Sequence, residues 1–181
     1  MSQGLRQATA PLDGASALLY LRRALRTGHY AEASQWATRA FSNTLRAAGG
    51  EQAMQLFCAA LADPAKRPAA RKALRELVPH LLDSADDVDL DRDKTFFVNA
   101  LTLVGDLDGA YDLMGKLLDR RLERSSTGAT DWIEVWRPEM RPFRQDPPFQ
   151  VFVTRVKLPD YWKQYGPRDD CDFNDGKLSC R

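Results

Sequence analysis

Apolar residues recur on a helical period along most of this chain. From Ala15 onward, Leu18, Leu21 and Leu25 lie three and seven apart, and Gly28 stops the run as glycine does just past a helix end. Ala33, Trp36, Ala37, Ala40, Phe41, Thr44 and Leu45 then form one continuous stripe that ends at Gly49-Gly50. A third helix carries Met54, Phe57, Cys58 and Leu61, and a turn follows at Asp63–Pro68. A fourth carries Ala70, Leu74, Leu77, Val78 and Leu81, with Pro79 expected to kink or shorten it. An acidic linker is expected over residues 83–93. The fifth helix uses Phe97, Ala100, Leu101 and Val104 and stops at Gly105; the sixth uses Ala110, Leu113, Met114 and Leu117. The pattern predicts an all-α chain with a flexible lead-in at 1–14 and helical pairs over 15–125. Residues 126–181, rich in aromatics and prolines, should pack as a cap of short helices and turns with a terminal β-hairpin. Nothing before residue 170 alternates like a strand.

Two turns share one spacing. In Gly28-His-Tyr30-Ala-Glu-Ala33 and Gly105-Asp-Leu107-Asp-Gly-Ala110, glycine is followed at +2 by a large apolar residue and at +5 by alanine. Glycine lets the chain reverse, the large residue plugs the seam between two helices, and alanine lets them approach closely. This resembles the tetratricopeptide (TPR) repeat, over residues 15–48 and 91–124, with a degenerate unit at 50–82 between them. The resemblance implies an array of about three helix pairs, and a plain bundle of helical hairpins remains open. It also implies that the inner faces of the first helices meet a ligand. By alignment of the turns those positions are Arg22 and Arg26 in the first unit and Arg92, Thr95, Asn99 and Thr102 in the last. An acidic or carboxylate-ended peptide would suit the arginines.

The end of the chain carries its own geometry. In Cys171-Asp-Phe-Asn-Asp-Gly-Lys-Leu-Ser-Cys180, Asp175-Gly176 is a two-residue hairpin signal. Folding about it pairs Asn174 with Lys177, Phe173 with Leu178, Asp172 with Ser179 and Cys171 with Cys180. Pairs alternate in type outward from the turn, so the cysteines fall on a non-hydrogen-bonded pair with Cα atoms about 4.5 Å apart. That spacing suits a disulfide; two reduced thiols or a redox switch are the other readings. The segment from Trp136-Arg-Pro138 through Arg144, Asp146-Pro147, Phe149, Leu158-Pro-Asp-Tyr-Trp162, Gly166-Pro167 and Cys171 is similar to the closing part of bacterial TPR proteins. Those are the C-terminal regions of membrane-anchored winged-helix regulators and adenylate-cyclase-like signalling proteins. The resemblance implies a larger parent with a signalling head, a link to transcription regulation and an extracytoplasmic, periplasmic place for this part. A cytoplasmic place is the alternative.

Composition narrows the chemistry. Net charge is +1, yet residues 1–82 carry 11 basic against 5 acidic groups, and residues 83–181 carry 15 against 20. Charged faces of this kind are usually solvated; a basic patch meeting an acidic partner is the sharper reading. Direct nucleic-acid binding is not expected at this charge, nor is membrane insertion, because no apolar run is long enough. The first eleven residues lack the apolar core of a secretory signal, which fits a cytoplasmic chain or a part of a longer one. His29 and His80 have no partners at metal-ligand spacing, and there is no phosphate loop or nucleophile elbow. The run Asp86–Asp93 fails as a calcium loop, since Arg92 or Lys94 stands where glycine is needed. Cys58 reads as a core thiol. The aromatics Trp132, Trp136, Phe143, Phe149, Phe152, Tyr161, Trp162 and Tyr165 read as a sealing core rather than a binding platform. No catalytic residue, cofactor or metal is therefore expected. The expected function is a non-catalytic protein-interaction module, with a self-associating scaffold or an enzyme with an unrecognised carboxylate site as alternatives.

Overall fold

The computed structural model describes residues 14–40, 43–83, 88–123, 134–168, 171–174 and 177–180. These form α1 (Gly14–Arg26), α2 (Tyr30–Ala40), α3 (Asn43–Ala47), α4 (Gly50–Ala62), α5 (Arg67–Asp83), α6 (Val88–Leu103) and α7 (Leu107–Glu123). The shorter α8 (Arg141–Gln145), α9 (Pro148–Arg155) and α10 (Leu158–Tyr165) follow, then β1 (Cys171–Asn174) and β2 (Lys177–Cys180). Of the lead-in expected at 1–14, residues 1–13 lie outside the described residues, as does the polar run at 124–130, while Gly14 opens α1. The fold is mostly helical, with one antiparallel hairpin at its end.

The periodic stripes become the core. Leu18, Leu21, Ala33, Ala37, Leu45, Met54, Phe57, Leu74, Leu77 and Leu81 are all buried, and one apolar cluster runs from α1 to the terminal strands. Helices pack on their neighbours in chain order: α1 on α2, α2 on α4, α4 on α5, α5 on α6 and α6 on α7.

Two of the turns joining these helices are built alike. After α1, His29 N donates to Ala24 O at 2.9 Å and Gly28 N to Leu25 O at 3.3 Å; Gly28 has φ +74°. After α6, Asp106 N donates to Leu101 O at 2.8 Å and Gly105 N to Thr102 O at 2.9 Å; Gly105 also has φ +74°. Both are Schellman ends, with glycine in the left-handed region that side chains resist. Ala33 and Ala110 are fully buried, and Tyr30 and Leu107 half-buried, at matching places. The α4–α5 turn is different: Asp63 accepts from Ala65 N at 3.1 Å and Pro64 opens a short 3-10 turn.

Two expectations are corrected. Of the kink or shortening expected at Pro79, the shortening does not occur: α5 runs through Pro79 to Asp83, and Leu81 beyond the proline is fully buried. The acidic stretch at 83–93 is not all linker. Residues 84–87 are outside the described set, but α6 already starts at Val88, since aspartates favour the electropositive start of a helix.

The hairpin has the register expected of it: Cys171 opposite Cys180, Asp172 opposite Ser179, Phe173 opposite Leu178 and Asn174 opposite Lys177. Cys171 and Cys180 stand at disulfide distance, with Cα atoms 4.0 Å apart. Gln150 Oε1 accepts from Leu178 N and Gln145 Nε2 donates to Cys180 O, which fastens the hairpin to α8 and α9.

Candidate binding site

A cleft of about 330 Å³ opens where the first helices of the successive pairs meet. Its floor is apolar: Leu25 from α1, Phe57 and Leu61 from α4, Phe96 and Leu103 from α6. Phe57 and Phe96 meet edge to face, 6.3 Å between centroids. One wall is a strap, residues 134–140, that runs from α1 to α6. Glu134 binds Arg22 of α1 at 3.1 Å, while the 3-10 turn Pro138–Met140 packs on α6.

The strap is held from behind. Arg144 is buried, and its Nη1 donates to Val135 O at 2.9 Å and Arg137 O at 2.8 Å. Two backbone acceptors facing away from water thus gain a charged donor. Trp136 packs edge-on against Phe149 and Trp162, with the Arg168 guanidinium over its ring at 5.4 Å. Trp162 in turn touches Phe173 of β1. Tyr111 of α7 stacks on Phe143 and donates its hydroxyl to Phe143 O, and burial pushes its ionisation well above the usual tyrosine range. The expected sealing role holds for Phe143, Phe149, Phe152 and Trp162, which are buried, whereas Tyr161 and Tyr165 are exposed. Trp132 lies outside the described residues.

The cleft brings together three of the six residues aligned as ligand-facing. Arg22, Arg26 and Asn99 line it. Thr95 and Thr102 are buried and do not reach it; the Thr102 hydroxyl donates to Val98 O at 2.9 Å. Arg92 belongs to α6, with its side chain outside the described set. Glu134, Arg137 and Glu139 complete the lining and were not foreseen. The spacing of Glu134 and Arg137 hints at a local ion pair, but the reach of Glu134 to α1 is tertiary.

Charge in the cleft is uneven. The Glu134 carboxylate is shared: Arg137 Nε lies 2.5 Å from Oε2, and both Arg137 Nη2 and Arg22 Nη1 approach Oε1. Arg26 and Glu139 have no ion-pair partner among the described residues. Asn99 is 8% exposed and its Oδ1 has no hydrogen-bond partner. A second depression, about 280 Å³ between α4 and α5, has only exposed polar residues at its rim, Gln52, Lys72 and Glu76. The first cleft differs in having buried polar residues, Glu134 and Asn99, in its lining.

Other reactive groups are dispersed. Cys58 is buried in α4, and burial pushes its thiol up to about 12. His29 and His80 are exposed, and among the described residues no three His, Cys, Asp or Glu side chains cluster as a metal site would need. No described helix is long and apolar enough to cross a membrane. The chain matches no protein-family profile, no curated protein and no solved structure.

Proposed function

We propose that this chain is a non-catalytic interaction module, a TPR-like array of the pairs α1–α2, α4–α5 and α6–α7. In this reading it is the C-terminal sensory or regulatory part of a larger bacterial signalling protein. One observation carries the array: the turns after α1 and α6 repeat the same hydrogen bonds, the same glycine angle and the same buried alanine, each 77 residues on (28 to 105, 33 to 110). The cleft on the first helices of the pairs adds to it, since a curved array gathers those helices on its inner face. The partner is a protein segment with acidic groups, drawn by Arg26, whose guanidinium is uncommitted.

The test is an array of acidic peptides probed with the 181-residue chain. Wild type should retain a subset, and Arg26→Glu should lose it. Equal retention by the variant would remove the inner face from consideration. The paired Cys171 and Cys180 support an extracytoplasmic place, because disulfides persist in oxidising compartments. Intact mass of protein taken from its native host, with and without reductant, should differ by two hydrogens. Self-association is the second reading, favoured by Leu19, exposed to 66%, beside Tyr20 on α1. Light scattering that gives one mass at all concentrations would dismiss it.

A further inference from the structure

We propose that Glu134 is a built-in competitor at this cleft: its carboxylate sits on Arg22, the place that an acidic group of the partner takes when it binds in full. The proposal rests on the reading of this face as the site for an acidic segment, and it adds a control on that binding. Arg22 and Arg26 stand four residues apart on α1, so they share a face, and both line the cleft. An acidic segment that meets the exposed Arg26 therefore has Arg22 as the adjacent cation. Arg22 already lies against an internal carboxylate, with Nη1 3.1 Å from Glu134 Oε1. The strap offers α1 the same chemical group that the partner would bring.

Glu134 can give up this contact without being left bare. Arg137, three residues on, lies against both of its oxygens, with Nε 2.5 Å from Oε2 and Nη2 2.9 Å from Oε1, whereas Arg22 approaches one of them. The difference matters because a buried carboxylate stripped of every partner is costly. The strap does not depend on α1 either. Arg144 holds it at two carbonyls, Val135 O and Arg137 O, and Trp136 packs against Phe149 and Trp162. Passing Arg22 from Glu134 to a partner's carboxylate thus trades one ion pair for another of the same kind, and leaves the wall of the cleft standing.

The charges of the lining agree with this arrangement. Arg22, Arg26 and Arg137 stand against Glu134 and Glu139, so the cleft attracts an acidic segment. The arginine next to Arg26 is nevertheless offset locally until Glu134 is displaced. Glu139 lies in the same lining with the same charge, yet it has no ion-pair partner among the described residues. The two glutamates therefore separate two effects. Glu134 competes for one arginine by contact, and Glu139 acts through the general field, which water and salt weaken.

The test is the array of acidic peptides, each blocked at both ends, probed in parallel with the 181-residue wild type and its variants. Titration calorimetry then measures the peptides that any form retains. Glu134→Gln should bind them about tenfold more tightly than wild type, the worth of one charged hydrogen bond no longer contested. Glu134→Asp keeps the charge but shortens the reach to α1. It should also bind more tightly, which a change of net charge cannot explain. Glu139→Gln should gain no more than about threefold. Adding Arg22→Gln to Glu134→Gln should cancel the gain. Circular dichroism should show both Glu134 variants folded, since Arg144 and Trp136 hold the strap, and loss of fold in both would overturn the proposal. Equal affinity of wild type and both Glu134 variants would overturn it too, as would a gain in Glu139→Gln that matches Glu134→Gln; peptide binding by the wild type would then leave the interaction reading in place. Failure of every form to retain a peptide would sink that reading and this one together.

Discussion

Asp106 does two structural tasks with one carboxylate. It caps α7 by accepting from Gly109 N at 3.1 Å, and it takes a two-pronged bond from Arg75 of α5 at 2.6 and 2.5 Å. The Arg75 hydrogen bond holds its ionisation below the ordinary carboxylate range, against the opposing effect of burial. A lowered carboxylate favours the folded state above the unfolded pKa of about 3.9, and that contribution fades as pH falls through the lower folded value. Asp106→Ala should therefore cost about 1–2 kcal/mol at neutral pH, the usual loss of a helix cap. Urea unfolding should show the gap between variant and wild type narrowing below about pH 4. A gap that is the same at pH 7 and well below 4 would mean the carboxylate's charge contributes nothing. The equivalent residue in the first turn is His29, which is exposed, so the corresponding change there should be nearly silent.

At the scale of elements, the two matched turns set up a comparison. Gly28 and Gly105 share φ +74°, so alanine at either place meets the left-handed penalty of about 1–2 kcal/mol. Space differs. A Cβ on Gly28 meets nothing within 4 Å, whereas one on Gly105 would stand 2.9 Å from Arg71 Nη2. Arg71 also donates to Val104 O from Nε, so it is not free to swing away without loss. Gly105→Ala should thus destabilise more than Gly28→Ala in parallel denaturation curves, and the reverse order would show that the arginine yields freely. These turns were legible in the sequence because their signal is local: a glycine, a plug and a small residue at fixed offsets. The hairpin register was legible for the same reason. The strap was not, since Glu134 finds its partner on α1 and Arg144 finds two carbonyls, contacts that no periodicity encodes. The start of α6 is not legible, because a run of aspartates looks the same in a solvated linker and in a helix's first turns. Analogy of position sets Thr95 and Thr102 on an open face, but burial is decided by what packs over that face.

For the molecule as a whole, the chain of contacts is continuous. The cysteine pair fixes the hairpin, Phe173 of the hairpin touches Trp162, Trp162 touches Trp136, and Trp136 belongs to the strap that walls the cleft. The terminal hairpin and the strap are therefore parts of one connected body. Cys58 gives access to the motions of that body. The thiolate is the form that attacks a thiol reagent, and this thiol is both covered and held at about 12, while the other two cysteines stand at disulfide distance from each other. Under mildly alkaline, non-reducing conditions a disulfide reagent should label one site, slowly, and the rate should climb with urea alongside unfolding. Labelling as fast as that of a small free thiol would contradict the burial of Cys58. The free core cysteine is thus an internal clock: each modification event timestamps an opening of α4, with no engineered probe required.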